Sequence, residues 1–458
     1  MINLGLQRIS ALLNPLFTTH PNTLPWKAIH IAGTNGKGSI ASLISTFLSN
    51  SGYSVGRFTS PHLIDRWDCI TLNQRVVERE RFLAAEAKVR QRSESDNVGA
   101  SEFELLTATA FELFTDEKVD VAVVECGLGG RLDATNVLRH GDVLVSVLAK
   151  VGLDHTEFLG DTIEKVAREK TGIFKAGVPV VVDGSNAREI LDVVRERMAA
   201  LGSSEGGPFV LDEQQSSVLL SKSVARLGLA KHQEQNLRTA WTAYYLAEQR
   251  MADLRSRDGA EPGINSMHNV DRKEKKISEL IRLAQASLRG RLEWLTIPAH
   301  FLPPGLYDDR QTQAKVLLDG AHNPQSAHAL ASYVDTNVRG TSGQMTWVLA
   351  VKNGKEVRKI LSILLRPEDN VVTCSFGPVD GMPWVKSMDA VVLAEIVRES
   401  SPATGIVEAA ESGSVKAAIT KAVKIAGQGP ICIAGSLYLV GDVLRLMRDE
   451  EEAAKEGP

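Results

Sequence analysis

The sequence predicts an α/β protein with two domains, and three observations lead to this prediction. Its 458 residues exceed the roughly 100–200 residues of an average domain. Short apolar runs alternate with stretches of helical periodicity, and continuous apolar runs are typical of parallel strands covered by helices on both faces. Hydrophobic residues make up 43% of the chain and charged residues 24%, as in ordinary soluble proteins with a large core.

Apolar runs mark the predicted strands, and amphipathic stretches between them mark the predicted helices. The strands are predicted at residues 28–32, 121–125, 143–149, 178–183, 315–319, 346–351, 370–375 and 431–434. The helices with the clearest pattern are predicted at residues 39–51, 102–114 and 327–334. Alternation of strands and helices favours mostly parallel sheets.

The strand and helix pattern stops and restarts near residues 290–300, which predicts the domain boundary. Here the chain carries Pro298, Pro303 and Pro304 within residues 294–307, a composition typical of a linker. We therefore expect one domain over residues 1–290 and a second over residues 291–458.

Three polar stretches lie outside the predicted elements. Residues 202–207 are small and polar, and residues 255–276 combine a Gly-Ala-Glu-Pro-Gly segment with a run of mixed charge. Both are predicted to be solvated loops, because they offer little apolar surface to bury. The charged tail at residues 449–458 is expected to fray.

Charge and cysteine content narrow the classes of function. The 52 Lys and Arg against 56 Asp and Glu give a net charge of −4, which argues against a sequence-independent nucleic-acid binder. No apolar run reaches the roughly 18 residues of a membrane span. Cys69, Cys126, Cys374 and Cys432 form no CxxC pair, which favours buried thiols in a reducing compartment. The first eight residues lack the pattern of a secretory signal, so we expect a cytoplasmic protein, with a mitochondrial location left open.

The strongest local motif is a glycine-rich turn between a predicted strand and a predicted helix. Residues 29–39 read IHIAGTNGKGS, and the glycines permit close approach of the backbone to a phosphate. Successive N–H groups and the helix N-terminus attract anions. Lys37 can reach the β- and γ-phosphates, and the Ser39 hydroxyl can coordinate Mg²⁺. The residues predicted to bind nucleotide in this loop are Gly33, Thr34, Asn35, Gly36, Lys37, Gly38 and Ser39.

Four further motifs accompany this phosphate loop. They are residues 58–63 (FTSPHL), 125–136 (ECGLGGRLDATN), 154–155 with 169–173 (DH and EKTGI), and 319–324 (DGAHNP). Together with the loop, whose GxxGKGS spacing is shorter than the common GxxxxGK[ST], they resemble the folylpolyglutamate synthase/dihydrofolate synthase family of Mur-type ATP-dependent amide ligases. This resemblance implies an N-terminal P-loop-type domain like the central domain of Mur ligases. It also implies a smaller, Rossmann-like C-terminal α/β domain.

Two shorter segments narrow the resemblance. Residues 65–70 (DRWDCI) and 378–385 (PVDGMPWV) are similar to those of monofunctional fungal-type dihydrofolate synthases. The implied reaction joins L-glutamate to 7,8-dihydropteroate through an acyl phosphate made from ATP. A folylpolyglutamate synthase acting on tetrahydrofolate, a bifunctional enzyme and a non-catalytic ATP-binding switch stay open as alternatives. The expected partners are these small molecules, without nucleic acid or membrane, and the expected state is a monomer.

The resemblance implies that Ser60, Glu125 and His155 are metal ligands, with Ser39 beside the phosphates. The position of Glu125 also favours a metal-binding role independently of the resemblance, because a carboxylate at the end of a buried strand is costly unless it is paired or metal-bound. Ser60 could instead form a turn, and His155 could be a structural histidine. Lys170 is expected to be N-carboxylated and to serve a second Mg²⁺ site, with an unmodified surface lysine as the alternative. A monovalent cation in one site stays open.

The remaining predicted residues contact nucleotide or the acid substrate, again by resemblance. Asn236, Arg291, Asp319 and His322 are expected at the nucleotide, although Asp319 and His322 could equally be turn or cap residues. Ser101, Phe103, Asp133 and Ala134 are expected at the pterin ring, where Phe103 would stack if it is not simply part of the core. The residues expected to act in catalysis are Lys37, His155 and Lys170.

Overall fold

The computed structural model describes residues 4–202, 209–211, 218–257, 270–298, 314–340, 343–401 and 404–456. The chain divides into two compact units. The first comprises Met1–His62 and Trp67–Leu288, and the second comprises Leu63–Arg66 and Arg289–Pro458. The sequence analysis did not anticipate that the short segment Leu63–Arg66 packs with the second unit.

The first unit contains eight described strands. They are β1 (Lys27–Ala32), β2 (Val55–Phe58), β3 (Ile70–Leu72), β4 (Arg75–Val76), β5 (Val121–Glu125), β6 (Val143–Leu148), β7 (Val180–Asp183) and β8 (Phe209–Leu211). Their order in the sheet is β4-β3-β2-β5-β1-β6-β7-β8. The neighbouring pairs β2–β5, β5–β1, β1–β6, β6–β7 and β7–β8 are parallel. Strand β3 pairs antiparallel with both β2 and β4. The carboxyl ends of β1, β2, β5 and β6 therefore share one edge, where ligands bind in parallel sheets.

Helices of the first unit surround this sheet. They are α1 (Gln7–Leu12), α2 (Asn14–Thr19), α3 (Lys37–Asn50), α4 (Arg79–Ser95), α5 (Glu102–Glu117), α6 (Thr156–Leu159), α7 (Ile163–Thr171), α8 (Arg188–Ala200), α9 (Val218–Leu227), α10 (Lys231–Arg257) and α11 (Val270–Ala286). Alternate residues of β5 enter different cores. Val123 lies in one core with Phe47 of α3, and Val124 lies in another with Phe111 of α5. Burial on both faces explains why the strand is apolar up to its last residue, Glu125.

The second unit is a smaller α/β layer structure. Its described strands are β9 (Glu293–Ile297), β10 (Ala314–Leu318), β11 (Thr346–Leu349), β12 (Asn370–Thr373), β13 (Val407–Ala409) and β14 (Ile431–Ala434). Its described helices are α12 (Pro324–Asn337), α13 (Val357–Leu364), α14 (Ala390–Ser400), α15 (Val415–Ala426) and α16 (Leu437–Glu456). The sheet order is β13-β12-β11-β14-β10-β9, and only the β9–β10 pair is antiparallel among these strands. The predicted fold class, two α/β domains, is confirmed.

Three sequence predictions are corrected by the structure. Residues 294–297, predicted as part of a linker over 294–307, belong to strand β9, because pairing with β10 satisfies their backbone groups despite the nearby prolines. Residues 255–257 and 270–276 lie in α10 and α11, so the predicted loop at 255–276 has helical ends. The tail predicted to fray continues α16 to Glu456. Residues 203–207 of the other predicted loop lie outside the described residues.

The four cysteines agree with the prediction from composition. All four thiols are free and buried, as expected for structural cysteines. Within the described residues, no helix combines the length and the apolar composition that crossing a bilayer requires.

A buried carboxylate organises the second unit. Asp369, which is fully buried, accepts two hydrogen bonds from the guanidinium of Arg339 at 2.7 and 2.8 Å. The indole N–H of Trp347 and the backbone N–H of Met345 donate to it at 3.0 Å each. The side chain therefore connects α12 to β11 at the point where β12 begins.

We predict that Asp369→Ala lowers the free energy of unfolding by about 3–5 kcal/mol, because the Arg339 guanidinium, the Trp347 indole and the Met345 N–H all lose the same buried acceptor. The matched control is Glu399→Ala, which removes the exposed pair between Glu399 and Arg358 at 2.7 Å and should change stability by less than about 1 kcal/mol. Urea unfolding measures both. Equal, small losses in the two variants would contradict the role given to Asp369.

Candidate functional site

The phosphate loop has a backbone conformation that favours glycine at position 36. The side chain of Asn236, which is distant in sequence, packs against this position. Gly36 has φ +85° and is the N-cap of α3. A methyl group built on Gly36 would overlap the side-chain oxygen of Asn236. Asn236 is buried in α10, so the structure brings this residue, predicted to contact nucleotide, against the loop.

The loop is also anchored to the chain that follows β6. The backbone N–H groups of Thr34 and Asn35 both donate to the carbonyl of Lys150, at 2.8 and 3.1 Å. The Thr34 hydroxyl lies 2.9 Å from the Gly152 carbonyl and 3.0 Å from its N–H. These hydrogen bonds fix the conformation of the loop and orient the N-terminus of α3 so that it can bind an anion.

Lys37 and Glu125 form an ion pair at this sheet edge. Their side chains approach to 3.5 Å, with 15% of the lysine and 4% of the glutamate exposed. Lys37 also donates to the carbonyl of Thr34 at 3.3 Å. Glu125 ends β5 and faces the start of α3, since a methyl group on Gly38 would lie 3.4 Å from its Oε2. The carboxylate therefore faces the position where the loop would hold phosphates.

Lys170 lies directly beneath the phosphate loop. It is 4% exposed, and its Nζ donates to the carbonyl of Gly33 at 2.8 Å. Burial, followed by the positive charge of Lys37, lowers the pKa of Lys170 to about 7, while Asp154 is among the groups that oppose this. The alternative of a surface lysine is therefore wrong. A lowered pKa favours the neutral amine, which is the nucleophilic form of a lysine.

Arg57 is a buried cation that the sequence analysis missed. It is 4% exposed, and its Nη1 donates to the Ser287 hydroxyl at 3.1 Å. Its Nε has no hydrogen-bond partner among the described residues. Burial lowers the pKa of Arg57 to about 10, and attraction to Glu125 opposes this. In the sequence, this residue is marked only as a single charge within an otherwise apolar strand.

The other predicted metal ligands occupy the same sheet edge or its neighbourhood. Ser60 follows β2, and Phe58 of that strand is level with Val124 of β5. Ser39 lies in the first turn of α3, and His155 precedes α6 with a left-handed φ of +53°. Over the described parts of the chain, no three His, Cys, Asp or Glu side chains cluster as a metal centre. One buried carboxylate facing a phosphate loop suits Mg²⁺, which commonly takes one or two carboxylates together with substrate phosphates.

The loop of residues 127–136, here called the substrate loop, is held by Asp133. This buried carboxylate accepts from the backbone N–H groups of Leu128 at 2.7 Å and Thr135 at 3.0 Å, and from the Thr135 hydroxyl. Burial raises the pKa of Asp133, and these hydrogen bonds oppose the rise. The predicted contact between Asp133 and a pterin stays a prediction, because the structure shows this carboxylate binding its own loop. Ala134 is buried beside it.

The substrate loop also packs on the end of α7 that carries Lys170. A methyl group on Gly130 would come within 2.7 Å of the Lys170 carbonyl. The Arg131 N–H donates to the Glu169 carbonyl at 2.7 Å, and their side chains pair at 2.9 Å. Close backbone approach explains the glycine at position 130.

Phe103 and Ser101 lie where α5 begins. The Phe103 ring stacks on Phe58 with centroids 6.0 Å apart and covers the backbone of Gly127. Ser101 caps α5, and its hydroxyl donates to Glu104 at 2.7 Å. Phe103 is therefore next to the substrate loop, whereas the Ser101 hydroxyl is used for capping.

The second unit brings together its own three predicted residues. Asp319 follows β10 and accepts from the N–H groups of Leu292 and Ala321, at 2.9 Å each. Burial raises the pKa of Asp319, and the nearby Arg291 opposes this. One ring nitrogen of His322, Nδ1, lies 2.8 Å from the Gly320 carbonyl. The three residues thus share the carboxyl end of one strand.

The family models that match this chain agree with a phosphate loop at the edge of a mainly parallel sheet, followed by a second α/β unit. The family model described as "Mur ligase middle domain" matches residues 31–197, and that described as "Dihydrofolate synthetase, C-terminal domain" matches residues 305–446. Dihydrofolate synthetase of Saccharomyces cerevisiae is 33% identical over 97% of this chain and 98% of its own length. The probable dihydrofolate synthetase of Schizosaccharomyces pombe is 33% identical over 98% and 99%.

Among solved structures, Mycobacterium tuberculosis folylpolyglutamate synthase complexed with ADP matches with a TM-score of 0.70 and 25% identity, covering 98% of this chain and 95% of that one. The chain belongs to the folylpolyglutamate synthase/dihydrofolate synthase family. The resemblance that the five motifs predicted is thereby confirmed.

We predict that Gly36→Ala weakens ADP binding by about tenfold or more, because the new methyl group displaces Asn236 and reshapes the loop. Gly52→Ala is the matched control, since Gly52 has nearly the same backbone angle, φ +88°, with nothing within 4 Å of an added methyl group. Titration calorimetry with ADP gives both affinities, and urea unfolding gives both stabilities. Equal ADP affinity in the two variants would show that the contact with Asn236 does not shape the loop.

Proposed function

We propose that this protein joins L-glutamate to 7,8-dihydropteroate in an ATP-dependent reaction that yields 7,8-dihydrofolate, ADP and phosphate. The observation that carries the proposal is the identity with two dihydrofolate synthetases over nearly the whole chain. The arrangement of Lys37 and Glu125 at the phosphate loop supports the same reaction, because phosphoryl transfer depends mainly on positioning and on charge neutralisation.

The reaction has two steps. A carboxylate oxygen of dihydropteroate attacks the γ-phosphorus of ATP, the bond to the β-phosphate oxygen breaks, and an acyl phosphate and ADP form. The amine of glutamate then attacks the acyl carbon, loses a proton, and expels phosphate as the amide forms. The attacking carboxylate and the γ-phosphate are both anionic, so the site must supply positive charge, and it must exclude water from the acyl phosphate.

The phosphate loop, residues 33–39, is assigned to the nucleotide phosphates. The N–H groups of this loop that are not bonded to Lys150 bind the phosphates together with the N-terminus of α3, and the Lys37 ammonium neutralises the charge that develops on the γ-phosphate. Asn236 supports the loop from behind. In the second unit, Arg291, Asp319 and His322 are assigned to nucleotide contacts.

Glu125, Ser39 and Ser60 are the residues assigned to Mg²⁺, and the metal would neutralise phosphate charge when bound. We assign His155 and a carboxylated Lys170 to a second cation site, which a monovalent cation could also fill. The support for carboxylation is the environment of Lys170, because burial and Lys37 both favour its neutral form. A lysine carbamate replaces a cation by an anionic oxygen ligand.

The acid substrate is assigned to the substrate loop and to Phe103. The Phe103 ring is the flat apolar surface on which a pterin can stack. Ala134 and the backbone that Asp133 holds are assigned to the ring edge, and Ser101, whose hydroxyl caps α5, is assigned to a position beside Phe103. These assignments place the substrate beside Lys170 and Glu125, because the substrate loop follows β5 and packs on α7.

The test of the function offers two acids separately. Purified protein, ATP, Mg²⁺ and glutamate are incubated with either dihydropteroate or tetrahydrofolate, and ADP and the amide product are quantified. We expect product from dihydropteroate. Product from tetrahydrofolate alone would assign folylpolyglutamate synthesis instead, and product from both would make the enzyme bifunctional. Nucleotide binding without acid-dependent ADP release would show a non-catalytic ATP-binding protein.

We predict that Lys170→Ala is nearly inactive and regains part of its activity with added acetate or another short-chain carboxylate, which can supply the lost oxygens. The control is Lys165→Ala in the same helix, because Lys165 is exposed and pairs only with the exposed Asp161 at 2.7 Å among its described contacts. This control should keep full activity.

A second measurement detects the modification itself. Protein equilibrated with ¹³C-bicarbonate should show a carbamate carbon signal by NMR that is lost in Lys170→Ala and kept in Lys165→Ala. Absence of this signal, together with no rescue by carboxylates, would contradict carboxylation of Lys170.

A further inference from the structure

His30 is a buried titratable residue to which the reaction above gives no role. It lies in β1, three residues before the phosphate loop, and its side chain is fully buried. Its Nε2 is 2.8 Å from the Thr135 hydroxyl and 3.2 Å from the Cys126 sulfur. Thr135 in turn bonds to Asp133 through both its hydroxyl and its N–H. His30, Thr135 and Asp133 thus form a continuous hydrogen-bonded chain.

The directions of these hydrogen bonds follow from their donors. The Asp133 carboxylate is surrounded by N–H and O–H donors, which is the environment of an ionised acceptor. The single hydroxyl proton of Thr135 is therefore donated to Asp133, at 2.5 Å, and not to the Cys126 sulfur, which lies 3.4 Å away. The Thr135 oxygen can then only accept from His30, so the imidazole carries its proton on Nε2. This tautomer leaves Nδ1 as an unprotonated acceptor.

The surroundings of Nδ1 agree with this tautomer. Nδ1 is buried and has no hydrogen-bond partner among the described residues, so a second ring proton would have no acceptor. Burial, and then the charge of Lys175, lowers the pKa of His30 to about 3. The ring is thus a neutral, fixed donor and does not act as a general base.

The geometry points to His30 as a positioning residue that fixes the substrate loop to the strand leading into the phosphate loop. One end of the hydrogen-bonded chain is in β1, and the other is the carboxylate that shapes residues 127–136. The distance between the acid substrate and the γ-phosphate would depend on this connection. The inference rests on the proposed role of the substrate loop in binding dihydropteroate.

The position of His30 in the sheet explains why an apolar residue would not serve equally. Its neighbours Ile29 and Ile31 face the core with α3, whereas His30 faces the opposite side, toward the substrate loop. On that side a hydrophobic side chain could fill the volume but could not donate to Thr135. The Thr135 oxygen would lose its donor, and the loop would lose its connection to β1.

The test compares two variants at position 30 with a matched control. His30→Gln keeps an N–H at the position of Nε2, and His30→Leu removes it. Thr109→Val is the control, because Thr109 is another fully buried residue whose hydroxyl donates to a carbonyl, that of Leu105 at 2.8 Å. We expect His30→Leu to raise the KM for dihydropteroate by about tenfold or more while leaving the KM for ATP within about twofold. His30→Gln should recover most of this loss, and Thr109→Val should change neither KM.

Equal changes in both KM values, or no rescue by His30→Gln, would overturn the positioning role. Asp133→Asn separates this outcome from failure of the proposed function. If Asp133→Asn raises the KM for dihydropteroate and His30→Leu does not, the role of the substrate loop in binding dihydropteroate is supported and the positioning role of His30 is rejected. If neither changes it, the assignment of the substrate loop itself falls.

A measurement on the unmodified protein reads the tautomer directly, and the His30→Gln variant serves only to assign the signal. Nitrogen-15 NMR of protein with labelled histidine should show one ring in the Nε2–H tautomer that does not titrate between pH 5 and pH 8, and that is lost in His30→Gln. An Nδ1–H tautomer, or a titration in this range, would contradict the hydrogen-bonded chain.

Discussion

The pairing of Glu125 with Lys37 at the end of β5 is the interaction on which the site depends. A buried carboxylate is costly unless a charge or hydrogen bonds compensate it, and this one is 3.5 Å from the Lys37 ammonium, with Arg57 close enough to influence it. The pair fixes where α3 begins relative to β5. That placement gives the phosphate loop an anion-binding helix end, a cation and a facing carboxylate at one sheet edge.

The same strands support two loops through their two faces. The α3 face of β1 and β5 carries Ile29, Val123 and Glu125, and it supports the phosphate loop. The opposite face carries His30, which reaches Thr135 in the substrate loop. Since successive residues of a strand point to opposite faces, one pair of adjacent strands can hold the nucleotide loop and the acid-substrate loop in a fixed relation. Lys170 contacts both loops, because its side chain donates a hydrogen bond to the Gly33 carbonyl and its backbone packs against Gly130.

Continuous apolar runs and glycine-rich turns predicted most of this architecture, because local periodicity and turn chemistry are encoded over a few residues. The strand at residues 121–125 was predicted with its observed bounds. Short antiparallel strands such as Arg75–Val76 were missed, since two exposed residues have no readable pattern. The roles of Arg57 and His30 were missed for a different reason. In the sequence, each is one polar residue in an apolar strand. Only the fold shows that Arg57 faces the α3 side, near Glu125, and that His30 faces Thr135.

In the proposed reaction, the carboxylate of the acid substrate is activated by direct attack on the γ-phosphorus of ATP. Dihydropteroate labelled with ¹⁸O in both carboxylate oxygens tests it. After one turnover with ATP and glutamate, mass spectrometry of the released phosphate should show one ¹⁸O atom for each amide formed, because the bridging oxygen leaves with phosphorus. Amide formation with unlabelled phosphate would contradict the acyl phosphate, and with it the function assigned to Lys37, Glu125 and the phosphate loop.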